Sequence, residues 1–478
     1  MVQTYGTVTQ QQSHLDHEVD PSVADESSTL LGGPVTKALP DGHATIFSSI
    51  SNLLNTIVGS GMLTFPLAFA SAGIVPGMLT CVFSGAVASF GLYLLSLCAT
   101  KTSHRRASFH AVSQLTFPGA AIFFDAAIAV KCFGVSISYL IIIKALMPNV
   151  VASIFHDLTS PDTNPPDWAL NGRVWLMLFM LILAPLSFLR HLNNLRHTSY
   201  IALFSIAYLI IIVITCYFWP LKGMPSSGEV RWIHFTPGFV STFPVQVFAF
   251  TCSQNLFPIY NELKSNTQGR MNTIIGGSIG TATLTYLIIA VFGYLTFGSQ
   301  VEANIIAMYP STSLFIAIGQ LAIVILVMFS YPLQVHPCRH CLDKVFHPEH
   351  LAEAIKATEA EAENDEVELG GDEHGHHQGL SPFKHFVFTT CIVATGFLTA
   401  YFVNDLQLVL SFVGATGSTS ISFILPGLFF WKLTKNDPNT SKTMNWSALA
   451  LMIYGMCVCV FCLSFNVYGL FQGKPTAH

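Results

Sequence analysis

The sequence predicts an all-α polytopic membrane protein with eleven transmembrane helices. Of its 478 residues, 51% are hydrophobic and only 10% are charged, and the mean hydropathy is +0.54. Eleven apolar segments each approach or exceed the ~20 residues that a helix needs to cross a hydrocarbon core of about 30 Å. In chain order, the predicted spans cover residues 46–70, 74–99, 119–146, 173–190, 198–219, 239–261, 272–297, 311–335, 384–403, 406–431 and 446–471.

The segments outside the spans predict the orientation. With a cytoplasmic N-terminus, fifteen of the 21 Lys and Arg residues lie on the cytoplasmic side, four lie opposite, and Lys131 and Lys144 fall within the third span. Because cytoplasmic loops are enriched in Lys and Arg, we expect this orientation, with a lumenal C-terminus after an odd number of spans. Residues 1–44 are predicted to be a disordered cytoplasmic tail without a cleavable signal peptide. Residues 45–471 form the transmembrane domain, interrupted by an acidic, His-containing cytoplasmic loop at 347–382.

The first predicted span contains residues that a continuous helix disfavours. Gly59, Ser60 and Gly61 are followed by Pro66, and both glycine and proline destabilise helix interiors. Backbone groups freed within a bilayer cost several kcal/mol each unless they find other partners. A broken span is therefore a candidate ligand site. The alternative is that the glycines only allow neighbouring helices to pack closely.

The sixth span carries a second interruption, five spans later. Its polar stretch at 248–255 is followed by Pro258. Two interrupted spans at matching positions predict an inverted repeat of five spans in each half. Repeat one then covers residues 46–219 and repeat two covers 239–431, and the eleventh helix at 446–471 is an addition.

Short motifs in four spans carry a family resemblance. They lie at residues 55–66 in the first span, 131–136 and 138–140 in the third, 247–252 in the sixth with 261–263 after it, and 411–419 and 421–427 in the tenth. Together they resemble the amino acid/auxin permease family, and within it the fungal vacuolar amino-acid permeases. Relatives include the sodium-coupled neutral amino acid transporters. The resemblance covers residues 46–471 and implies a leucine-transporter-like fold of five-plus-five inverted repeats and secondary transport of amino acids.

The resemblance and the two interruptions together imply an amino-acid site between the first and sixth spans. The amides of Ser60, Gly61 and Met62 are expected to face the substrate carboxylate, because helix N-termini favour negative charge. Freed carbonyls near 55–57 and 249–251 are expected to face its ammonium group. The predicted substrate-binding residues are Asn55, Thr56, Val58, Gly59, Ser60, Gly61, Met62, Ser138, Ala249, Phe250, Thr251 and Ser253.

Asn55, Lys131 and Ser330 are candidates for coupling transport to an ion gradient. Asn55 matches a cation-ligand position of sodium-coupled relatives, although a hydrogen bond between packed spans is the alternative. Ser330 is the natural second ligand, but its neighbours offer few oxygens, so no complete sodium cage is evident. Lys131 lies near mid-membrane and either replaces a bound cation or titrates; the alternative is a structural pair. Family members often have His where this chain has Ser253 and an acidic residue near Lys144, so the resemblance implies no proton route there.

Location is predicted from the tail and the cysteines. Glu26, Leu30 and Leu31 fit an acidic dileucine sorting signal in a segment that an adaptor can reach, with a chance match as the alternative. The three larger non-cytoplasmic loops contain none of the eleven cysteines, which favours an intracellular membrane over an oxidising surface. The His and Cys residues at 336–341 are too crowded to converge easily on one metal. No metal or other cofactor is expected.

The expected function is secondary active transport of amino acids across the vacuolar membrane, with proton-linked export to the cytoplasm. The alternatives are a plasma-membrane importer coupled to sodium or protons, and a non-transporting amino-acid sensor. An enzyme is disfavoured because no metal or nucleophile–base constellation lies at the membrane face. The expected partners are an amino acid, protons with sodium as the alternative, the lipid bilayer and a sorting adaptor, but no nucleic acid.

Overall fold

The computed structural model describes residues 42–102, 105, 107–158, 165–189, 198–346, 381–438 and 440–472. These residues form helices, and the one β-type contact among them is an isolated bridge between Ala44 and Leu263. The predicted sorting signal at Glu26, Leu30 and Leu31 lies outside the described residues, as does nearly all of the acidic loop.

The helices follow one another in chain order, and each predicted span contains at least part of one. They are α1 (Ile46–Ile57), α2 (Phe65–Ala72), α3 (Ile74–Ala99), α4 (Phe109–Thr116), α5 (Ala120–Leu158), α6 (Gly172–Ser187), α7 (Thr198–Phe218), α8 (Phe239–Ala249), α9 (Leu256–Glu262), α10 (Gln268–Phe297), α11 (Leu314–Phe346), α12 (Pro382–Phe402), α13 (Leu406–Val413), α14 (Leu425–Thr434) and α15 (Lys442–Phe471). The short α4 corresponds to no predicted span.

The helix lengths confirm a polytopic all-α membrane protein. Within the described ranges, eight helical stretches are long and apolar enough to cross a membrane, and the bent pair of α1 and α2 makes a ninth. The fourth predicted span, α6, is apolar but has only 16 residues. The sixth is divided between α8 and α9, with 11 and 7 residues, and neither can cross alone. The count of eleven stays a prediction.

The two broken spans lie in the interior and contact each other. Both α2 and the 3₁₀ turn at Ser60–Thr64 pack against α8, while α10 packs along α1, α2, α3 and α7. The long helices α5 and α11 form the most extensive helix pair. The interrupted backbone is therefore surrounded by other helices rather than by lipid, as a low-dielectric membrane requires.

The last helix, α15, lies at the edge of the bundle. It packs on α14 and on the neighbouring π segment Ser420–Ile424. Its large side chains Val460, Phe461 and Phe471 are 66%, 64% and 88% exposed. Such side chains are suited to contact with lipid tails. A peripheral position is what an added eleventh helix requires, although the two-repeat organisation itself stays a prediction.

Candidate functional site

The first span breaks at Val58 and Gly59. The Val58 N–H makes the last regular bond of α1, to Leu54 O at 2.9 Å, and the chain then runs through Gly59 at φ −147° and ψ −147°. The 3₁₀ turn Ser60–Thr64 leads into α2, where Pro66 occupies the first turn and needs no N–H partner. The two helical halves differ in direction by 51°. Backbone groups at the break consequently lose their helical partners.

The sixth span breaks directly beside the first. Helix α8 ends at Ala249, and the 3₁₀ turn Ser253–Asn255 precedes α9. A Cβ built on Gly61 would lie 2.8 Å from the Ala249 Cβ and 3.1 Å from its Cα, so the backbones meet where only glycine fits. Close packing of neighbouring helices, which the sequence offered as the alternative role of these glycines, therefore applies to Gly61. A Cβ on Gly59 would meet open space, with the Tyr139 hydroxyl 4.0 Å away.

Tyr286 of α10 joins the two breaks. Its fully buried hydroxyl donates to Ile57 O at 2.7 Å and to Ala249 O at 2.9 Å, the carbonyls at the ends of α1 and α8. The ring stacks on Phe65 and meets Phe250 edge-on, with centroids 4.4 Å and 5.1 Å apart. One hydroxyl proton is thus shared between two carbonyls that the breaks have freed. No feature of the sequence marks this tyrosine, because it lies in an otherwise regular apolar span.

The backbone amides at the first break are not equivalent. The Met62 N–H donates to Gly59 O at 3.2 Å, so this predicted carboxylate ligand is already engaged. Within the described part of the chain, the amides of Ser60 and Gly61 have no backbone acceptor. These two amides open a helical segment, where the dipole favours an anion.

A cavity of about 500 Å³, here called the central cavity, lies beside this break. Of the predicted residues, those lining it are Asn55, Thr56, Val58, Gly59, Ser60, Met62 and Ser330. None of the described lining residues is charged. Asn55 Oδ1 and Gln254 Oε1 are buried here with no hydrogen-bond partner in the described structure. Unpaired acceptors beside free amides suit a zwitterion, since the oxygens can accept from an ammonium group and the amides can donate to a carboxylate.

The other predicted binding residues lie behind the cavity wall. Gly61, Ser138, Ala249, Phe250, Thr251 and Ser253 are buried but do not line the central cavity. Ser138 Oγ donates to Ser60 Oγ at 3.2 Å, and Ser422 Oγ of the tenth span donates to Thr251 Oγ1 at 3.3 Å. The first of these contacts holds the lining residue Ser60, and direct contact of the six buried residues with a substrate stays a prediction.

The cavity also contains polar residues that the motifs did not single out as ligands. They are Asn52, Tyr139, Gln254, Asn255 and Gln334. Asn255 Nδ2 donates to Thr56 Oγ1 at 2.5 Å and so ties the second break to the first. The polar run in the sixth span pointed to Gln254 and Asn255. Asn52 and Gln334 carry no such signal, since their orientation depends on how α1 and α11 are rotated.

The tenth span widens into two π segments, Gly414–Ser418 and Ser420–Ile424. The first packs against both α5 and α8. Thr419 Oγ1 donates to Gly414 O at 2.6 Å, satisfying one carbonyl of the widened turn. Because π segments are frequent at functional sites, this motif is a candidate part of the site where α5 and α8 meet.

The two intramembrane lysines have different surroundings. Lys131 is 4% exposed, lies outside the central cavity lining and packs against the tenth span, where a Cβ on Gly417 would come within 3.1 Å of the Lys131 Cβ. No ion pair or hydrogen bond engages its ammonium group among the described residues. Lys144 Nζ instead donates to Ala400 O and, at 2.7 Å, to Val403 O, at the end of α12. Lys144 is structural, whereas Lys131 is a buried basic group suited to coupling.

The His and Cys residues after the eighth span belong to α11. Cys338 Sγ donates to Ala129 O of α5 at 3.5 Å, and the rings of His336 and His340 lie 4.5 Å apart. In the ranges that the structure describes, no group of three or more His, Cys, Asp or Glu side chains could hold a metal ion.

Two broken spans meeting in the interior of a helical bundle define a class of membrane transporter. The fold is similar to that of MhsT, solved in complex with L-phenylalanine, with a TM-score of 0.52 and 12% identity over 90% of this chain and 100% of that one. It is also similar to Mhp1 in an inward-facing conformation, with a TM-score of 0.55 and 11% identity over 92% and 93% of the two chains.

Residues 42–472 match the family described as transmembrane amino acid transporter protein, and the chain belongs to this family. It is 40% identical to Vacuolar amino acid transporter 5 of Schizosaccharomyces pombe, over 92% of this chain and 98% of that protein. It is 37% identical to Vacuolar amino acid transporter 6 of Saccharomyces cerevisiae, over 88% and 98%. The resemblance inferred from the motifs is confirmed, and the protein is a transporter rather than an enzyme.

Proposed function

We propose that the protein is a secondary active transporter of the vacuolar membrane that exports amino acids to the cytoplasm in a proton-linked cycle. The relatives named as vacuolar amino acid transporters support this location. One observation carries the proposal of an amino-acid site at the first break. The unpaired oxygens of Asn55 and Gln254 lie in the same cavity that Ser60 lines. There these acceptors suit the ammonium group of an amino acid, and the free amides of Ser60 and Gly61 suit its carboxylate.

The direction is supported by the extent of the central cavity along α11. Its lining continues past Gln334 and Pro337 to Cys341, toward the end of the helix that carries Arg339 and Lys344. Basic residues mark the cytoplasmic end of a span. We therefore assign this end, and the N-terminus, to the cytoplasm, and the C-terminus to the lumen. A cavity that extends toward the cytoplasm suits release of substrate there.

We also propose eleven spans arranged as two inverted repeats of five and one added helix. The interruption of the sixth segment, between α8 and α9, parallels that between α1 and α2. The fold similarity to MhsT and Mhp1 supports this arrangement. The short helix α6 would be the fourth of these eleven spans.

Protons are proposed as the coupling ion because the cation ligands are few. Asn55 and Ser330 line the same cavity, but no carboxylate joins them among its described lining residues. The Tyr286 hydroxyl fills the space between Ile57 O and Ala249 O, where two carbonyls would otherwise offer ligands to a cation. The buried basic group of Lys131 replaces the charge that a bound cation would supply.

Flux measurements with the purified protein in liposomes test this proposal. A pH gradient should drive accumulation of a labelled amino acid, and replacing sodium with choline should leave the rate unchanged. Protein-free liposomes and a protonophore are the controls. A strict sodium requirement would contradict the proposal and favour the plasma-membrane importer, and binding without flux would favour the sensor.

A further inference from the structure

Asp125 is the only Asp or Glu residue within the eleven predicted spans. It lies near the start of α5, and its side chain is half-buried. Ionisable groups inside a membrane are costly and usually mark the path of an ion or a proton. Among the described residues, no ion pair engages the Asp125 carboxylate. Asp125 can therefore gain or lose a proton without breaking a salt bridge.

Asp125 extends a face of α5 that lines the central cavity. Ile128 and Cys132 both line this cavity. Asp125 precedes them by three and seven residues, and these spacings place the three side chains on one face of a helix. In the proposed orientation α5 begins on the cytoplasmic side. Asp125 thus lies about one turn closer to the cytoplasm than the cavity lining of α5.

Helix α11 supplies a cation at the same end of the cavity. Cys341 lines the cavity, and Lys344 follows it by three residues on the same face of α11. The Asp125 carboxylate lies beside the Cys341 thiol, and the charge of Lys344 acts on it. The cytoplasmic end of the central cavity is therefore flanked by a carboxylate from α5 and an ammonium group from α11. This end is called the cavity mouth here.

His110 of α4 is the third titratable group at the cavity mouth. Phe109 stacks on Phe124 with ring centroids 3.5 Å apart, which holds α4 against the start of α5. Burial, and then the charge of Lys344, lower the pKa of His110, while Asp125 opposes them. The buried Nδ1 of His110 has no hydrogen-bond partner in the described part of the chain. A neutral imidazole in this position can take a proton from a neighbouring carboxyl and pass it to water.

We propose that Asp125 binds the transported proton and releases it to the cytoplasm at the cavity mouth. The proton is bound to the carboxylate while the transporter is loaded, because a neutral carboxyl is less costly than a charged one between packed helices. On release the proton passes to water, directly or through His110, and the carboxylate then faces the cation of Lys344. The proposal rests on the proton-linked cycle proposed above, for which it names the group that carries the proton.

Lys131 is a separate group of the same pathway. It lies six residues beyond Asp125, which is about 9 Å along the axis of α5 and ~120° around it. The groups that act on Asp125 from the neighbouring helices are instead Cys341, Lys344 and His110. Lys131 therefore holds a charge in the interior of the bundle, whereas Asp125 exchanges its proton at the cavity mouth.

Paired flux assays with the purified full chain in liposomes test the proposal. One assay measures accumulation of a labelled amino acid driven by a pH gradient, and the other measures exchange of labelled for unlabelled amino acid without a gradient. Asp125→Asn resembles a permanently protonated carboxyl, so it should lose accumulation and keep exchange. Wild-type exchange should slow as the pH rises on both sides, whereas exchange by Asp125→Asn should not change with pH. Asp125→Glu should restore accumulation.

Asp157→Asn is the matched control. Asp157 lies at the other end of α5, where its Oδ2 accepts from the Leu314 N–H at 2.9 Å, a bond that an Asn side chain can keep. This variant should accumulate and exchange as the wild type does. If Asp125→Asn does not fold, Lys344→Met provides the test. Loss of this cation makes the charged Asp125 carboxylate less favourable, so exchange should persist to higher pH.

The results separate this proposal from the proposed function. Accumulation by Asp125→Asn at the wild-type level, or exchange that keeps the wild-type pH dependence, overturns the role of Asp125. Loss of both accumulation and exchange in a folded Asp125→Asn protein shows a structural role and also overturns it, as does an unchanged pH profile in Lys344→Met. A wild type that exchanges its substrate but accumulates none in a pH gradient contradicts the proton-linked cycle itself.

Discussion

Two glycines in the first span, two residues apart, have different roles. Gly61 lies against the Ala249 backbone, whereas Gly59 faces open space near Tyr139. Gly61→Ala should push the broken spans apart, cost about 1–3 kcal/mol of stability as overpacking does, and reduce flux strongly. Gly59→Ala should keep wild-type thermal stability and mainly raise the KM for substrate. Thermal melts and flux assays on both variants test this; equal melting temperatures would contradict the packing role of Gly61.

Tyr286 offers a second test with a single atom removed. Tyr286→Phe leaves Ile57 O and Ala249 O without their shared donor, and each unsatisfied buried group costs about 1–3 kcal/mol. We expect a lower melting temperature and loss of transport. Tyr331→Phe is the matched control, because the Tyr331 hydroxyl is equally buried and has no partner among the described residues. Similar losses in both variants would show that the bridge between the breaks is unimportant.

At the scale of helices, replacing the two buried lysines is expected to have different effects on the stability of the protein. Lys144→Met removes the donor to Ala400 O and Val403 O at the end of α12, and should lower stability by about 1–3 kcal/mol. Lys131→Met removes a buried basic group with no partner in the described structure, and should leave stability equal or higher.

Transport distinguishes the two variants further. Lys131→Met should abolish accumulation against a gradient while counterflow exchange continues, because coupling rather than binding is lost. Melting curves with paired uptake and counterflow assays are the measurement. Proton-driven accumulation by Lys131→Met at the wild-type level would contradict a coupling role.

The breaks in the helices could be predicted from the sequence because their causes are local. Glycine and proline between 59 and 66 disfavour a helix wherever they occur, and the structure breaks the span at Val58. The role of Tyr286, and the fact that Gly61 rather than Gly59 packs against the sixth span, could not be predicted in the same way. Each depends on which face a helix turns toward its neighbours. Some residues predicted to bind substrate in the third and sixth spans are buried without lining the central cavity, and their contact with substrate stays a prediction; they are Ser138, Ala249, Phe250, Thr251 and Ser253.

At the scale of the whole molecule, two cavities flank one break. The central cavity extends toward the predicted cytoplasmic end of α11, and a second cavity of about 830 Å³ lies on the other side of the break, walled by α2 and by the loops at 225–238 and 299–308. The Thr64–Ala303 hydrogen bond joins the break to the loop at 299–308. This is the arrangement that alternating access requires, since the site must reach only one side at a time. We propose that breaking the bond between Thr64 and Ala303 is one step in opening the site to the side assigned to the lumen.

The location of the molecule should depend on the tail. Changing Leu30 and Leu31 to Ala is expected to move the protein away from the vacuole without altering its stability, because we propose that an adaptor reads this signal and because the polar composition of residues 1–44 predicts no packed core there. Leu15→Ala, a single leucine in the same tail, is the control and should stay vacuolar. The measurement is fluorescence imaging of the tagged variants. An unchanged distribution of the double variant would mean that the match to the acidic dileucine pattern arose by chance or that the signal is redundant.

The central claim is that an amino acid binds where the two broken spans meet. The most direct measurement is an experimental structure of the full chain in a lipid nanodisc with a transported amino acid bound. The account predicts its carboxylate against the amides of Ser60 and Gly61, and its ammonium group near Asn55 Oδ1 and Gln254 Oε1. An amino acid bound elsewhere, with the break at Val58 and Gly59 empty at saturating concentration, would contradict the account.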